Sequence, residues 1–147
     1  MTKYSCIVPV FNEAERILGV LEILTNVPQI DQIICVDDGS SDNSSETIKI
    51  HFPKITLIKH PTNKGRTEAI QSGLIAAKSK SVLLMDADLE HLKAEEVSHA
   101  FKIYENKTLD CLVLSTASPT KIDTLLRIIF RAMKCMAGCR IINKFNA

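Results

Sequence analysis

Asp86 and Asp88 stand two residues apart directly after an apolar run, and Glu90 follows two residues later. At the exit of an extended segment, side chains at i and i+2 point the same way. Two carboxylates that close repel unless a cation sits between them. Hard oxygen ligands in an incomplete set suit Mg²⁺ or Mn²⁺ shared with substrate phosphates. Such a metal would neutralise charge growing on a departing diphosphate. Asn63-Lys64-Gly65-Arg66 opens a helical pattern. Gly65 would let backbone approach a ligand, the helix N-terminus favours anions, and Lys64 or Arg66 can reach a phosphate. Asp37 and Asp38 lead the segment Asp37-Asp38-Gly39-Ser40-Ser41-Asp42, where an acid can accept from ribose hydroxyls or a base N–H. Turn preference alone accounts for Asn12, Gly39, Ser41 and Asp42. It does not account for a second acid at Asp88 or for the two cations flanking Gly65.

These residues need a scaffold that gathers them. Short apolar runs alternate with helical patterns along the chain. Strands are expected over 4–10, 32–36, 55–59, 81–85 and 110–114, the fourth being nearly all apolar and therefore central. Helices are expected over about 13–25, 42–51, 66–78, 93–104 and 122–137. Asn12 is placed to cap the first, with Glu15 in the capping-box position, and Asp42 to cap the second. Ile17, Leu21 and Leu24 form one apolar stripe; Ala69, Ile70, Gly73, Leu74 and Ala77 form another. Repeated β-α alternation implies an α/β fold with a mostly parallel sheet and helices on both faces. Right-handed crossovers then put the carboxyl ends of the strands along one edge, where open α/β sheets bind ligands. The four segments that follow the first four strands carry the acids, amides, glycines and cations named above.

The 147 residues are 46% hydrophobic and 24% charged, which suits one globular domain and excludes a disordered chain. Eighteen Lys and Arg balance seventeen Asp and Glu, and Trp is absent. Neither a bulk field for nucleic acid nor a stacking platform for single strands is expected. Of the five cysteines, Cys6, Cys35 and Cys111 lie in strand-like runs, and Cys135 and Cys139 fall i, i+4 on a helical stretch. All read as packed thiols of a reducing compartment. The N-terminus has no signal-peptide layout, and no apolar run approaches the roughly 20 residues of a membrane helix. A cytoplasmic location is therefore expected, at the cytoplasmic face of a membrane if the partner is a lipid.

Together, Ile7-Val8-Pro9-Val10-Phe11-Asn12-Glu13, Val36-Asp37-Asp38-Gly39-Ser40-Ser41-Asp42, Asn63-Lys64-Gly65 and Met85-Asp86-Ala87-Asp88-Leu89 resemble the inverting family 2 glycosyltransferases with the GT-A fold. Within that family, Asp86-Ala87-Asp88-Leu89-Glu90-His91 is most similar to the dolichol-phosphate mannosyltransferase and polyprenyl-phosphate glycosyltransferase branch. The resemblance implies one GT-A-like domain over 1–147, with a donor-binding part over about 4–92 and a shortened acceptor part over about 93–147. It implies that Pro9, Phe11 and Glu13 line a nucleotide-base pocket and that Asp38 holds the base or ribose, with Asp37, Gly39 and Ser40 nearby. Arg66 or Lys64, beside Gly65, would approach the diphosphate. Asp86, Ala87 and Asp88 would hold the metal–nucleotide unit, with Glu90 in a third-ligand position. A sugar would pass from a UDP- or GDP-type donor to a polyprenyl phosphate or glycan by one in-line displacement, with inversion. His91 fits the branch's pattern but reads as a loop or cap residue, as do His51, His60 and His99.

Two departures bear on the acceptor. The branch carries Gly-Ser-Arg at the end of the fifth strand, where this chain has Leu114-Ser115-Thr116-Ala117. A later arginine matches in outline at Arg127, assigned to the acceptor phosphate. The general-base Asp of many family members has no counterpart before the chain stops; an anionic phosphate acceptor needs none. Arg127, Arg131 and Lys134 share one face of the 122–137 helix, whose remainder is apolar. That pattern suits peripheral contact with a membrane surface, or a core helix with a solvated basic face. The alternative to an active transferase is a catalytically incomplete nucleotide-sugar-binding module. A dinucleotide dehydrogenase is disfavoured because G-x-G-x-x-G does not follow the first strand.

Overall fold

The structure is a computed structural model that describes residues 3–106, 111–114 and 139–143. The chain runs β1 (Tyr4–Val10), α1 (Ile17–Thr25), β2 (Ile30–Asp37), α2 (Ser44–His51), β3 (Thr56–Lys59), α3 (Arg66–Ala76), β4 (Ser81–Leu84), α4 (Ala94–Asn106), β5 (Cys111–Leu114) and β6 (Cys139–Asn143). The sheet has six strands in the order β3-β2-β1-β4-β6-β5. β1 pairs in parallel with β2 and β4, and β2 with β3. β6 is antiparallel to both β4 and β5, so β5 runs with the first four strands. The expected mostly parallel α/β sheet is present.

One strand was not expected. Cys139 opens β6, whereas its i, i+4 spacing from Cys135 placed it on a helix; Cys135 itself lies outside the described residues. The physical reason is the open edge of β4, whose backbone groups need a partner. The β-branched pair Ile141-Ile142 suits a strand better than a helix. The expected helix over 122–137, with Arg127, also lies outside the described residues.

The period-2 pattern of the strands divides the core in two. Tyr4, Cys6, Val8 and Val10 of β1 face α1, α2 and α4, where they meet Ile17, Leu21, Leu24, Ile48, Val97 and Phe101. Ile7 of β1, Ile34 and Val36 of β2, and Val82 and Leu84 of β4 face α3 through Ala69. Helices therefore cover both faces, and both expected apolar stripes point inward. Tyr4 stacks on Phe101 with ring centroids 4.1 Å apart, fastening α4 to the central strand. α3 lies so close to β1 that a Cβ on Gly73 would stand 2.4 Å from Ile7 Cγ2. Cys6 and Cys35 are buried thiols, and burial pushes the Cys35 thiol up to about 12.

The strand order sets a switch point. The chain winds outward from β1 through β2 to β3, and α3 then carries it back across to β4 on the other side of β1. The β1–β4 ladder ends at Ile7↔Leu84, with Met85 N–H still donating to Ile7 O at 3.0 Å. The β1–β2 ladder continues to Val10↔Asp37. Beyond Ile7 the β1–β4 pairing stops, and this is the switch point at which open α/β sheets hold ligands in a crevice outside the carboxyl ends of their strands. Pro9 falls there. With a strand period of two it faces the same edge as Ile7, where no β4 partner asks for the N–H that proline lacks.

Candidate functional site

The crevice is walled by the segments that follow β1, β2, β3 and β4. The first two are clamped together by side chains. Asn12, with φ +56°, turns the chain out of β1. Its N–H donates to Ser40 Oγ at 3.0 Å, and its Oδ1 accepts from Ser41 N at 2.9 Å. Glu13 N–H donates to Ser44 Oγ at 2.9 Å, and Ala14 N–H to Asp42 Oδ2 at 3.1 Å. Asn12 is thus a cross-loop tie and not the expected helix cap. α1 starts only at Ile17, follows Arg16 with no side-chain cap, and has no capping box at Glu15. Left-handed backbone at Asn12 ends the strand before a helix can start, which the spacing of Asn12 and Glu15 does not reveal. Asp42 accepts from Ser44 N at 3.0 Å, but it stands one residue before the N-cap of α2, which is Asn43 and makes no side-chain cap bond. A hollow of about 700 Å³ opens between residues 12–16 and 41–43. Glu13 Oε2 lies 2.7 Å from Arg16 Nε there as an ion pair, and among the described residues no donor meets it in good hydrogen-bond geometry.

The two acids at the end of β2 hold the site from below. Asp37 is fully buried; its carboxylate accepts from Ser40 N at 2.8 Å and from the Ser45 hydroxyl. Asp38 is 3% exposed. Its carboxylate accepts from His60 Nδ1 at 2.6 Å, from Lys64 N at 3.0 Å and from Gly65 N at 2.7 Å. The second oxygen also receives Lys64 N at 3.2 Å, which fills the roughly four acceptor positions of a carboxylate. A direct contact of Asp38 with ribose or base would have to displace one of these. The segment from His60 to Gly65 is therefore anchored on Asp38, and sequence alone gave His60 no such part. A buried histidine with partners on both ring nitrogens can be recognised only once β2, β3 and α3 are packed together.

Burial by itself would raise the Asp38 pKa. The His60 hydrogen bond, the Lys64 and Gly65 N–H groups and the His60 charge outweigh it and hold the carboxyl below its ordinary 3.8. Burial opposes the same direction at Asp42, where the Ser44 hydroxyl and the Ala14 and Ser44 N–H groups prevail. In both cases the folded chain binds fewer protons than the unfolded chain near pH 4, so stability rises with pH in that window. We expect the unfolding free energy to be flat with respect to these groups above about pH 5 and to fall as pH drops through the depressed folded-state values. Urea titrations between pH 7 and pH 3 test this. Stability that did not fall toward pH 3, or that Asp38→Asn left with the wild-type pH slope, would count against it.

The far wall is the β4 exit. Asp86 is buried and forms an ion pair with the Arg66 guanidinium, which is half-exposed at the first residue of α3. Ala87 and Asp88 form a turn, and Asp88 and Glu90 are exposed. The chain leaves the extended conformation at this turn, so the two acids of Asp86-Ala87-Asp88 differ sharply in burial. Among the described residues, no group of three or more His, Cys, Asp and Glu side chains is gathered to hold a metal ion. Asp86, Asp88 and Glu90 are thus not a preformed three-carboxylate cage. The donor chemistry nevertheless suits Mg²⁺ or Mn²⁺, which bind through one or two carboxylates and complete their shell with substrate phosphates and water. α3 has no side-chain cap, so its first N–H groups keep the polarity that favours anions. Phe11, 45% exposed, is an outward-facing aromatic in the segment leaving β1.

A mostly parallel sheet with acids and amides at its switch point, and a helix N-terminus whose Arg66 reaches Asp86 on the far wall, is the arrangement of an α/β domain of the GT-A type. Solved structures share the fold: a mannosyltransferase from Pyrobaculum calidifontis in complex with GDP-Man and Mn²⁺ (TM-score 0.69, 21% identity, 78% of this chain and 36% of that one). Glucosyl-3-phosphoglycerate synthase from Mycobacterium tuberculosis, in complex with Mn²⁺, UDP and glucosyl-3-phosphoglycerate, aligns over 98% of this chain and 57% of its own (TM-score 0.75, 16% identity). Residues 5–128 match the family model described as Glycosyl transferase family 2, and the chain belongs to that family. An undecaprenyl-phosphate 4-deoxy-4-formamido-L-arabinose transferase of Serratia proteamaculans is 35% identical over 111 residues, 70% of this chain and 34% of its own. The chain spans from 28% to 48% of the length of the curated relatives it matches. Among the described residues, no helix is long and apolar enough to cross a membrane.

Proposed function

We propose that the chain binds a UDP- or GDP-type sugar donor in the crevice between the ends of β1 and β4, and that it serves an inverting transfer of the sugar to a polyprenyl phosphate. The observation that carries this reading is the convergence of the four strand exits on one switch point, with the Lys64-Gly65-Arg66 turn anchored opposite Asp86. In this reading Phe11, with Pro9 and Glu13, lies against the base. Gly39 and Ser40 shape the ribose side, and Asp37 and Asp38 support it from beneath. Arg66, Lys64 and the start of α3 meet the diphosphate. Asp86 and Asp88, beside Ala87 and with Glu90 in the same loop, would hold Mg²⁺ or Mn²⁺ beside the diphosphate. When bound, the metal supplies positive charge to the departing nucleoside diphosphate. The acceptor oxygen forms a bond to the anomeric carbon as the bond to the diphosphate breaks on the opposite face, which inverts the centre. An acceptor that is already an anionic phosphate has no proton to lose. Arg127 would bind that phosphate, and the 122–137 segment would touch the cytoplasmic face of the membrane that carries it. The domain organisation belongs to the same reading: a donor-binding part over about 4–92 and an acceptor part over about 93–147.

Calorimetry with UDP and GDP tests the donor site. Wild-type chain is expected to bind one of them only with Mg²⁺ or Mn²⁺, and Asp88→Ala to weaken that binding at least about tenfold, a loss of one charge-assisted contact. Equal, metal-independent binding by both proteins refutes the metal assignment. The alternative, a binding module without a complete acceptor site, is favoured by Ser115-Thr116-Ala117 in place of Gly-Ser-Arg. It predicts donor binding with no transfer to a polyprenyl phosphate presented in detergent.

A further inference from the structure

His60 is buried at the junction of β2, β3 and α3, and both its ring nitrogens are used. Nδ1 is 2.6 Å from Asp38 Oδ1, and Nε2 is 2.9 Å from Ser72 Oγ. Its backbone N–H donates to Asp37 O at 2.8 Å. Asp38, held ionised by its donors, can only accept, so Nδ1 carries the proton and donates. The row Asp38–His60–Ser72 has the order of a nucleophile relay but not its setting. Ser72 sits in the body of α3, where backbone N–H groups close the helix and none is left as an oxyanion donor. The relay therefore acts by position. Oδ1 of Asp38, which faces His60, also receives Lys64 N, while Oδ2 receives Gly65 N, and Arg66 follows by one residue.

We propose that His60 is a positioning residue for the phosphate-binding turn. Its imidazole, clamped between Asp38 and Ser72, fixes the Asp38 carboxylate, and that carboxylate fixes the course of Lys64-Gly65 and the reach of Arg66. Without the ring, Asp38 is free to rotate and the two amides lose their shared acceptor. Arg66 then has to be ordered by the ligand itself, which weakens binding of the group it meets. The inference rests on the reading that Arg66 meets a diphosphate.

The test compares affinities for UDP and GDP with those for UMP and GMP, in the presence of Mn²⁺, using the full chain. His60→Ala is expected to lose about tenfold in diphosphate affinity while monophosphate affinity moves less than about threefold. Asparagine places an amide N–H near the Nδ1 position and glutamine near Nε2. His60→Asn is therefore expected to restore most of the diphosphate preference and His60→Gln is not. Amide exchange followed by NMR gives a second readout: Lys64 and Gly65 should exchange faster in His60→Ala and return toward the wild-type rate in His60→Asn. A folded His60→Ala that keeps the wild-type diphosphate-to-monophosphate ratio overturns the proposal. So does a uniform loss of both affinities with a lowered Tm, which would make the ring a stabiliser of the fold alone. If the wild-type chain binds none of the four nucleotides, the functional reading fails by itself, and amide exchange decides the positioning role. Unchanged exchange at Lys64 and Gly65 then overturns it.

Discussion

Gly39→Ala is expected to destabilise the fold by about 3–5 kcal/mol, combining left-handed backbone strain with overpacking against atoms that cannot move aside. Gly39 has φ +76°, and a Cβ there would stand 2.5 Å from the carbonyl carbon of Thr62 and 2.6 Å from Asn63 N. Those are backbone atoms of the segment anchored on Asp38. A flexible side chain could swing away; this segment could move only by giving up its hydrogen bonds to Asp38. Gly65 provides the control. It too has a positive φ, +93°, but nothing lies within 4 Å of its Cβ position. Gly65→Ala should therefore show backbone strain alone, on the order of 1–3 kcal/mol. Urea unfolding followed by far-UV circular dichroism ranks the two. The prediction fails if Gly39→Ala lies within 1 kcal/mol of wild type, an order-of-magnitude threshold for ordinary point changes, or proves milder than Gly65→Ala. Donor affinity should fall with stability at Gly39, because the strained contact is with the turn that precedes Arg66.

The second large effect is at Asp38. Truncation to alanine removes one acceptor and leaves three buried or half-buried donors, His60 Nδ1, Lys64 N and Gly65 N, without it. Breaking a buried charged network from one side destabilises by about 3–5 kcal/mol. Asp38→Asn keeps the shape and one oxygen but turns an NH₂ toward a donor, and about half that loss is expected. The effect should be largest near neutral pH and shrink as pH falls below the ordinary carboxylate range, where the unfolded chain takes up the proton before the native one does. Equilibrium unfolding of the three proteins at pH 7 and pH 3.5 decides it. Identical stabilities at pH 7 would mean that the network contributes nothing to the fold.

Both effects arise in loops, and the loops are where sequence and structure diverge. Strand positions were legible because β1, β2 and β4 are apolar on both faces, as buried parallel strands must be. The helices showed a period near 3.6 at Ile17, Leu21 and Leu24. The collection of Asp37, Asp38, Lys64, Arg66, Asp86 and Asp88 along one edge followed from alternation and crossover handedness alone. Which way each side chain would turn did not follow. Asp38 turns inward to His60 and the 64–65 amides, and Asp86 turns to Arg66, while Asp88 stays exposed. Asn12 ties two loops together where its residue type suggested a cap. Local propensity reports what a side chain can do with its near neighbours; these partners lie 20 to 29 residues away.

By itself, the order of apolar runs and turn residues determined a parallel α/β sheet and the edge on which its polar residues collect, because burial of alternating or continuous apolar faces leaves few other arrangements. Tertiary structure decided the rest. It inserted β6 beside β4, because an open edge of backbone donors and acceptors takes any strand that can reach it. It also set His60 beside Asp38, because a buried carboxylate is tolerated only when donors surround it, and those donors came from the segment after β3, more than twenty residues along the chain.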